Sequence, residues 1–388
     1  MSFIPYSCQS IDEADIAAVN AVLRSEYLTQ GPSVPAFEQA FAARHAVAHA
    51  VAVSNATAAL HIAALALGLG PGKRAWTSPN SFLASANCVL YCGAGIDFVD
   101  IDPATRNMSV AALAAKLERA EREGALPAVL IPVDFGGLPA DLREIRSLAD
   151  RYGVRILQDA SHATGAHYLD HPVGSRWADA TVFSFHAVKV ITTAEGGLVT
   201  TNDAALAKRL RLLRSHGMTR DAADLESAGE GPWYYEQVAL GFNYRLTDVQ
   251  AALGLSQLGR LPAMQARREQ LAAQYDELLH GLPVLRPPRL ADRRSAWHLY
   301  AVELLGTGSN LPDRRQVFEA LRAAGIGVNV HYIPIHTQPY YRRLGFRRGD
   351  FPAAEAYYDR AVSLPLHPAL TDDQQRFVVD ELRRTMGA

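Results

Sequence analysis

The chain has 388 residues, of which 49% are apolar and 20% charged, and 38 Lys and Arg against 40 Asp and Glu leave a net charge of −2. That length exceeds one ordinary core and fits a large domain plus a smaller one, expected at 1–250 and 251–388. The near-neutral balance gives no reason to expect a nucleic-acid or membrane-surface partner. The three cysteines, Cys8, Cys88 and Cys92, are too few and odd in number for a disulfide framework. Cys88 and Cys92 can share a helix face, but no further ligands stand nearby, so no metal site is expected. Met1–Gln9 lacks a basic segment followed by an apolar core, and Ala56–Leu69 is too short to span a bilayer. Neither a signal peptide nor a membrane span is expected, and a reducing cytoplasm is the expected location.

In chain order, the pattern predicts a helix over Ala58–Leu67, a short strand over Ile96–Val99 and an amphipathic helix over Val110–Glu123. A buried strand over Ala128–Val133 and a helix over Leu142–Arg151, closed by Gly153, follow. Val154–Leu157, Thr181–Phe185 and Leu198–Thr201 read as strands. Helices alternating with short β-branched runs indicate an α/β fold with a mostly parallel sheet covered on both faces. Asp248–Leu279 is helical with an expected interruption at Pro262, and the Pro-rich Leu282–Pro288 then changes the composition. Trp297–Leu305, Gln316–Ala324 and Asp372–Arg384 read as strand, helix and final helix of a smaller α+β domain.

Ligands of open α/β sheets bind beyond the carboxyl ends of the strands. Three groups of residues stand there. Asp159 follows a buried strand and precedes Ala160-Ser161-His162. Such an acid can cap a helix, or it can pair with a protonated pyridine nitrogen and keep that ring an electron sink. His162 can orient Asp159 or bond a phenolic oxygen on the same ring. Lys189 ends the run Phe183-Ser184-Phe185-His186-Ala187-Val188-Lys189. Most lysines are solvated, but among small and apolar neighbours a desolvated lysine has a lowered pKa and can attack an aldehyde. Ser184 can reach a phosphate, and Gly196-Gly197 allows a tight return. Ser54-Asn55-Ala56-Thr57-Ala58 opens the alanine-rich helix, where free N–H groups and the Thr57 hydroxyl suit an anion or merely cap the helix. Together the three groups supply a phosphate cradle, a pyridinium partner and an amine for an aldehyde.

Gln158–His162, Ser184–Gly197, LGFNYRLTDVQAALGLSQL at Leu240–Leu258 and HYIPIHTQPYY at His331–Tyr341 resemble the DegT/DnrJ/EryC1/StrS family of nucleotide-sugar aminotransferases. The resemblance spans nearly the whole chain. It implies a fold-type I, aspartate aminotransferase-like α/β fold with a smaller α+β C-terminal domain, and pyridoxal 5'-phosphate (PLP) as cofactor. It also implies a homodimer whose active sites are shared between chains. By the same likeness Lys189 is the Schiff-base lysine, Asp159 the partner of the pyridine nitrogen and His162 the neighbour of the ring oxygen. Thr57, Ala58 and Ser184 contact phosphate, Phe82 stacks on the ring and Asn243 reaches the partner's phosphate. Tyr6, Glu26, Tyr27, Leu28, Thr29, His331, Tyr332, Ile333, Pro334 and Tyr341 contact the nucleotide sugar.

Tyr6-Ser7, Leu28-Thr29-Gln30-Gly31, Val133-Asp134-Phe135, Thr192-Thr193-Ala194-Glu195 and Ser215-His216-Gly217-Met218 are similar to one branch of that family. Its members use L-glutamate to aminate carbon 4 of UDP-2-acetamido-2,6-dideoxy-β-L-arabino-hex-4-ulose in pseudaminic acid biosynthesis. Glu26 and Ile333 depart from that branch, which carries lysines there. Arg342-Arg343 and Arg347-Arg348 read as a solvated face or as a lure for a diphosphate.

Overall fold

The computed structural model describes residues 3–227, 229–305 and 312–387. Its centre is a seven-stranded sheet made of β1 (His49–Val53), β2 (Arg74–Thr77), β3 (Gly95–Phe98), β4 (Val129–Ile131), β5 (Arg155–Asp159), β6 (Ala180–Ser184) and β7 (Gly197–Thr201). The spatial order is β1-β7-β6-β5-β4-β2-β3, and β7 alone runs against its neighbours. Adjacent residues of one strand feed opposite faces. Val51, Val182 and Val199 pack into one core, while Ala52, Phe183 and Leu198 pack into another. A strand buried on both faces has no polar alternation, which is why these segments read as continuous apolar runs.

Eight helices serve this sheet and its flanks: α1 (Glu13–Leu23), α2 (Ser33–Arg44), α3 (Ala56–Ala66), α4 (Ala84–Tyr91), α5 (Val110–Glu123), α6 (Leu142–Tyr152), α7 (Ala204–Arg214) and α8 (Asp248–Leu278). Local signals set their ends. Asn55 caps α3 by accepting from the Ala58 N–H at 2.8 Å. Ser109 caps α5, and Gly124 and Gly153 end α5 and α6 in left-handed backbone, as a C-cap glycine does. α8 runs straight through Pro262, against the expected interruption. The ring removes one hydrogen bond, but Pro262 faces solvent, where water can take the freed carbonyl. Leu258, Leu261 and Met264 on the other side stay buried.

The C-terminal part adds a three-stranded antiparallel sheet of Val284–Leu285, Tyr300–Leu304 and Ala361–Leu364. The expected strand over Trp297–Leu305 is shorter because Trp297 sits at φ 49°, outside extended backbone. Helices Arg314–Ala323 and Asp372–Met386 cover this sheet, sharing a core with Leu271 and Tyr275 of α8 and with Ile4. The N-terminal segment therefore runs with the C-terminal part: Gly327 donates to the Ile4 carbonyl and Leu366 to that of Tyr6. This pairing sets Tyr6 beside His331, with ring centroids 5.7 Å apart. No helix among the described residues is long and apolar enough to cross a membrane.

Candidate active site

A cavity of about 880 Å³ opens beyond the carboxyl ends of β5 and β6, between the large sheet and the C-terminal part. Thr57, Ala58, Phe82, Asp159, His162, Ser184 and Lys189 all line it, and Tyr6, His331 and Tyr332 face them from the other side. Ten of the expected site residues, far apart in sequence, thus share one space.

Asp159 is the last residue of β5 and is buried. Its Oδ1 accepts from the Ser161 N–H at 3.0 Å and its Oδ2 from the Ser85 hydroxyl at 2.6 Å. Since the Ser85 proton is committed to Asp159, Ser81, 2.7 Å away, donates to Ser85. A hydrogen bond to a charged group is worth about 1.5–3 kcal/mol, enough to hold one carboxylate rotamer. Asp159 caps no helix, so the capping alternative falls away. His162 does not orient it: its Nδ1 accepts from Gly136 N–H at 3.3 Å and its Nε2 lies 3.1 Å from the Tyr332 hydroxyl.

Lys189 sits on the loop between β6 and β7. Phe185 and Gly196 close that loop by a 2.9 Å backbone bond. Thr192 bonds the Phe185 carbonyl, Gln250 of α8 the Glu195 carbonyl and Ser7 the Val188 carbonyl. These tethers present Lys189 to the cavity. Desolvation pushes its amine down to about 8, against the opposing pull of Asp159. A useful fraction of free amine therefore exists near neutral pH. Beneath the cradle, Gly197 allows β7 to pass under the start of α3, because a Cβ there would stand 2.5 Å from the Asn55 carbonyl carbon.

The polar groups present suit PLP. Ala56 and Thr57, the first helical residues of α3, keep N–H groups that no carbonyl of their own helix reaches. The Thr57 and Ser184 hydroxyls add donors for a phosphate, whereas the Ala58 N–H is engaged by Asn55. A carboxylate and a partly desolvated amine complete the set. The roof adds neutral histidines. Burial holds His331 at about 3 and His298 well below the ordinary imidazole value, with Lys189 adding to both effects. His331 is locked by a 2.7 Å bond between Nδ1 and the Ser363 hydroxyl.

Other expected contacts lie outside this cavity. Tyr341 is a core residue: its ring packs against Phe98 and its hydroxyl donates to Asn87 at 2.6 Å. Its expected place on the nucleotide sugar is therefore corrected for this cavity, because the aromatic cluster takes the ring. Glu26, Tyr27, Leu28 and Thr29 are exposed, and the chain just after them is fastened to the start of α8 by Asp248, which accepts from Gly31 and Ser33. Ile333 is exposed, and Pro334 is buried at the start of a short 3₁₀ turn. Asn243 is exposed and does not line its own chain's cavity, although the adjacent Tyr244 does. Arg347 and Arg348 pair with Asp350 and Asp359 on an exposed face.

The sequence reading missed Ser85, Ser81, His298, His61, Tyr244 and Asn329. Ser81, just before α4, and Ser85, within it, offered no signal beyond their spacing. His298 lies between Trp297 and Leu299 and offered none.

The family model for the DegT/DnrJ/EryC1/StrS aminotransferase family matches residues 9–383. The spore coat polysaccharide biosynthesis protein SpsC of Bacillus subtilis is 40% identical over 98% of this chain and 96% of its own. The structure of Helicobacter pylori PseC, an aminotransferase involved in the biosynthesis of pseudaminic acid, superposes with a TM-score of 0.90 at 32% identity over 100% of both chains. Spr1654 from Streptococcus pneumoniae in its PLP form gives 0.89 at 30% identity, covering 99% of this chain and 98% of that one. The chain has the fold-type I architecture, takes PLP as its cofactor and belongs to the DegT/DnrJ/EryC1/StrS aminotransferase family.

Proposed function

We propose that the chain transfers the amino group of L-glutamate to carbon 4 of UDP-2-acetamido-2,6-dideoxy-β-L-arabino-hex-4-ulose. The product is UDP-4-amino-4,6-dideoxy-N-acetyl-β-L-altrosamine, a step of pseudaminic acid biosynthesis. The observation that carries the reading is the meeting of Lys189 and Asp159 in one cavity, in a chain similar to PseC from end to end.

PLP, when bound, supplies an aldehyde that bonds amines and a cationic ring that accepts electrons from the substrate carbon. Asp159 holds the proton on the ring nitrogen, and Ser85 and Ser161 hold Asp159. Lys189 Nζ would hold the aldehyde carbon of the bound cofactor. Once displaced, the same nitrogen carries the proton removed from the amino acid, and later delivers one to the sugar carbon. Thr57, Ser184 and the start of α3 bind the phosphate, and Phe82 covers the ring. Tyr6, His331 and Tyr332 meet the sugar. Two substrates using one cavity in turn give ping-pong kinetics.

The active unit is a homodimer in which Asn243 and the Glu26–Thr29 segment serve the partner's site. Their exposure in the single chain supports this, as does Leu240, a leucine 81% exposed near Asn243. The decisive test is incubation with glutamate and candidate UDP-4-keto sugars, with products identified by NMR. An amine formed only on the D-configured sugar would overturn the substrate assignment while leaving the reaction class intact.

A further inference from the structure

We infer that Tyr332 is a hydrogen-bond donor into the cavity, its phenolic proton left free by His162 for an electron-rich oxygen of the bound cofactor or keto sugar. The inference rests on the proposed reaction for its ligand and on proton counting for its chemistry.

The count begins at Gly136, whose N–H points at His162 Nδ1 from 3.3 Å. That N–H cannot swing away, because the turn around it is clamped. Asp134 accepts from Ala140 N at 2.9 Å and from Gln158 Nε2 at 2.7 Å. Asn107 takes the Phe135 N–H at 2.8 Å, and the Gly136 carbonyl accepts from Leu299. Gly136 sits at φ 65°, and on Gly137 a Cβ would stand 3.0 Å from the His162 carbonyl. A ring nitrogen that accepts carries no proton, so a neutral His162 carries its proton on Nε2. A cationic ring would set two N–H donors against each other. Burial, which holds His162 well below the ordinary imidazole value, works in the same direction.

Nε2–H therefore donates to the Tyr332 oxygen at 3.1 Å. The phenol's own proton is not used in that pair, and no other hydrogen bond of its hydroxyl occurs among the described residues. Phe82, Phe135 and His331 surround the ring, and Tyr332 and His162 both line the cavity that Asp159 and Lys189 also line. Burial raises the phenol above its ordinary value, so it stays protonated. A buried donor needs an acceptor, and an oxygen of a bound ligand provides one. His162 is then a positioning residue, and the contact with the cofactor's ring oxygen expected for it from sequence is open to Tyr332 instead.

Two measurements test this. Histidine-selective ¹⁵N NMR of the full chain, with His162→Gln to assign the signal, should show a protonated Nε2 and a bare Nδ1; the opposite tautomer overturns the inference. Tyr332→Phe in PLP-loaded protein then identifies the acceptor. If it is the cofactor's oxygen, the pH midpoint of the cofactor's absorbance change moves by about one pH unit, and the glutamate half-reaction slows about ten-fold. If it is the sugar's oxygen, absorbance and glutamate half-reaction keep their wild-type values, and the sugar half-reaction alone falls about ten- to a hundred-fold. In either case His162→Gln adds little further loss in the Tyr332→Phe background, because the two residues act as one unit. Wild-type behaviour in both half-reactions and in the absorbance overturns the proposal. A wild-type chain that aminates no sugar and converts no glutamate instead removes the proposed function, and this inference falls with it.

Discussion

The floor of the cavity and its rim are built differently. Floor residues Asp159, Ser184, Lys189 and Thr57 each stand at or just beyond the end of a buried strand, or at the start of the helix that follows one. Backbone and side-chain bonds within the same chain fix their directions. Rim residues Glu26–Thr29, Ile333 and Asn243 are exposed and contribute nothing to their own chain's cavity. The floor is fixed within one chain, whereas the rim consists of residues that the proposed dimer assigns to the partner's site. Substitutions on the floor and on the rim have separable effects.

Lys189→Ala should have the largest effect, lowering turnover by about 10³-fold or more while pyridoxamine phosphate still binds. Single-turnover absorbance with glutamate measures the loss, and the retained phosphate cradle is checked by binding titration. A residual rate near wild type would mean that the floor's chemistry lies elsewhere. Asp159→Asn should slow the glutamate half-reaction about a hundred-fold, since a neutral amide does not hold the ring nitrogen protonated. The same assay reads it, with Ser85→Ala as a milder companion that removes only one of the bonds orienting Asp159.

The rim is tested by complementation. Lys189→Ala and an Asn243→Ala chain, each impaired alone, are mixed under conditions of subunit exchange. If Asn243 serves the partner, random pairing leaves about a quarter of all sites fully native. Activity should then rise well above either parent. Confirmed exchange with no recovery would return Asn243 to its own chain and erase the contrast between floor and rim.

A smaller effect concerns pH. The Lys189 amine lies at about 8 in the folded chain, below its ordinary value, because burial disfavours the cation. Only the free amine attacks an aldehyde. PLP uptake by the unloaded chain should therefore accelerate as pH rises towards about 8 and level off above it, followed by stopped-flow absorbance. A midpoint at the ordinary lysine value would show that the floor does not desolvate Lys189. Smallest of all, Ala194 occupies left-handed backbone at φ 65° in the loop that carries Lys189. Ala194→Gly should raise stability by about 1 kcal/mol, read from urea unfolding. No gain would mean that the loop's tethers, rather than its backbone preference, set that conformation.

Much of the floor was legible from sequence because it depends on local rules. Apolar runs mark strands, and a polar residue after such a run stands at the sheet's carboxyl edge. The rule located Asp159 and Lys189, but not Ser85, which lies within α4 well beyond the end of β2. It did not reach His162's partners. Gly136 and Tyr332 lie far from it in sequence, and nothing in either segment reveals that they meet. Pro262 shows the opposite failure. A local rule predicted a break, but packing on one side and solvent on the other carry α8 through it.

The sequence alone sufficed for the alternation of strands and helices, the capped start of α3, the stop at Gly153, and the residue types that PLP chemistry requires. Each of these follows from the period of side-chain burial or from the conformational limits of a single residue. Tertiary structure alone decided which of the aromatic and histidine residues of the C-terminal part face Lys189. Tyr332 and His331 enter the cavity, whereas Tyr341, from the same segment, is taken by the core around Phe98. That choice depends on which neighbours fill the space beside each ring. Distant segments supply those neighbours, so no local pattern encodes it.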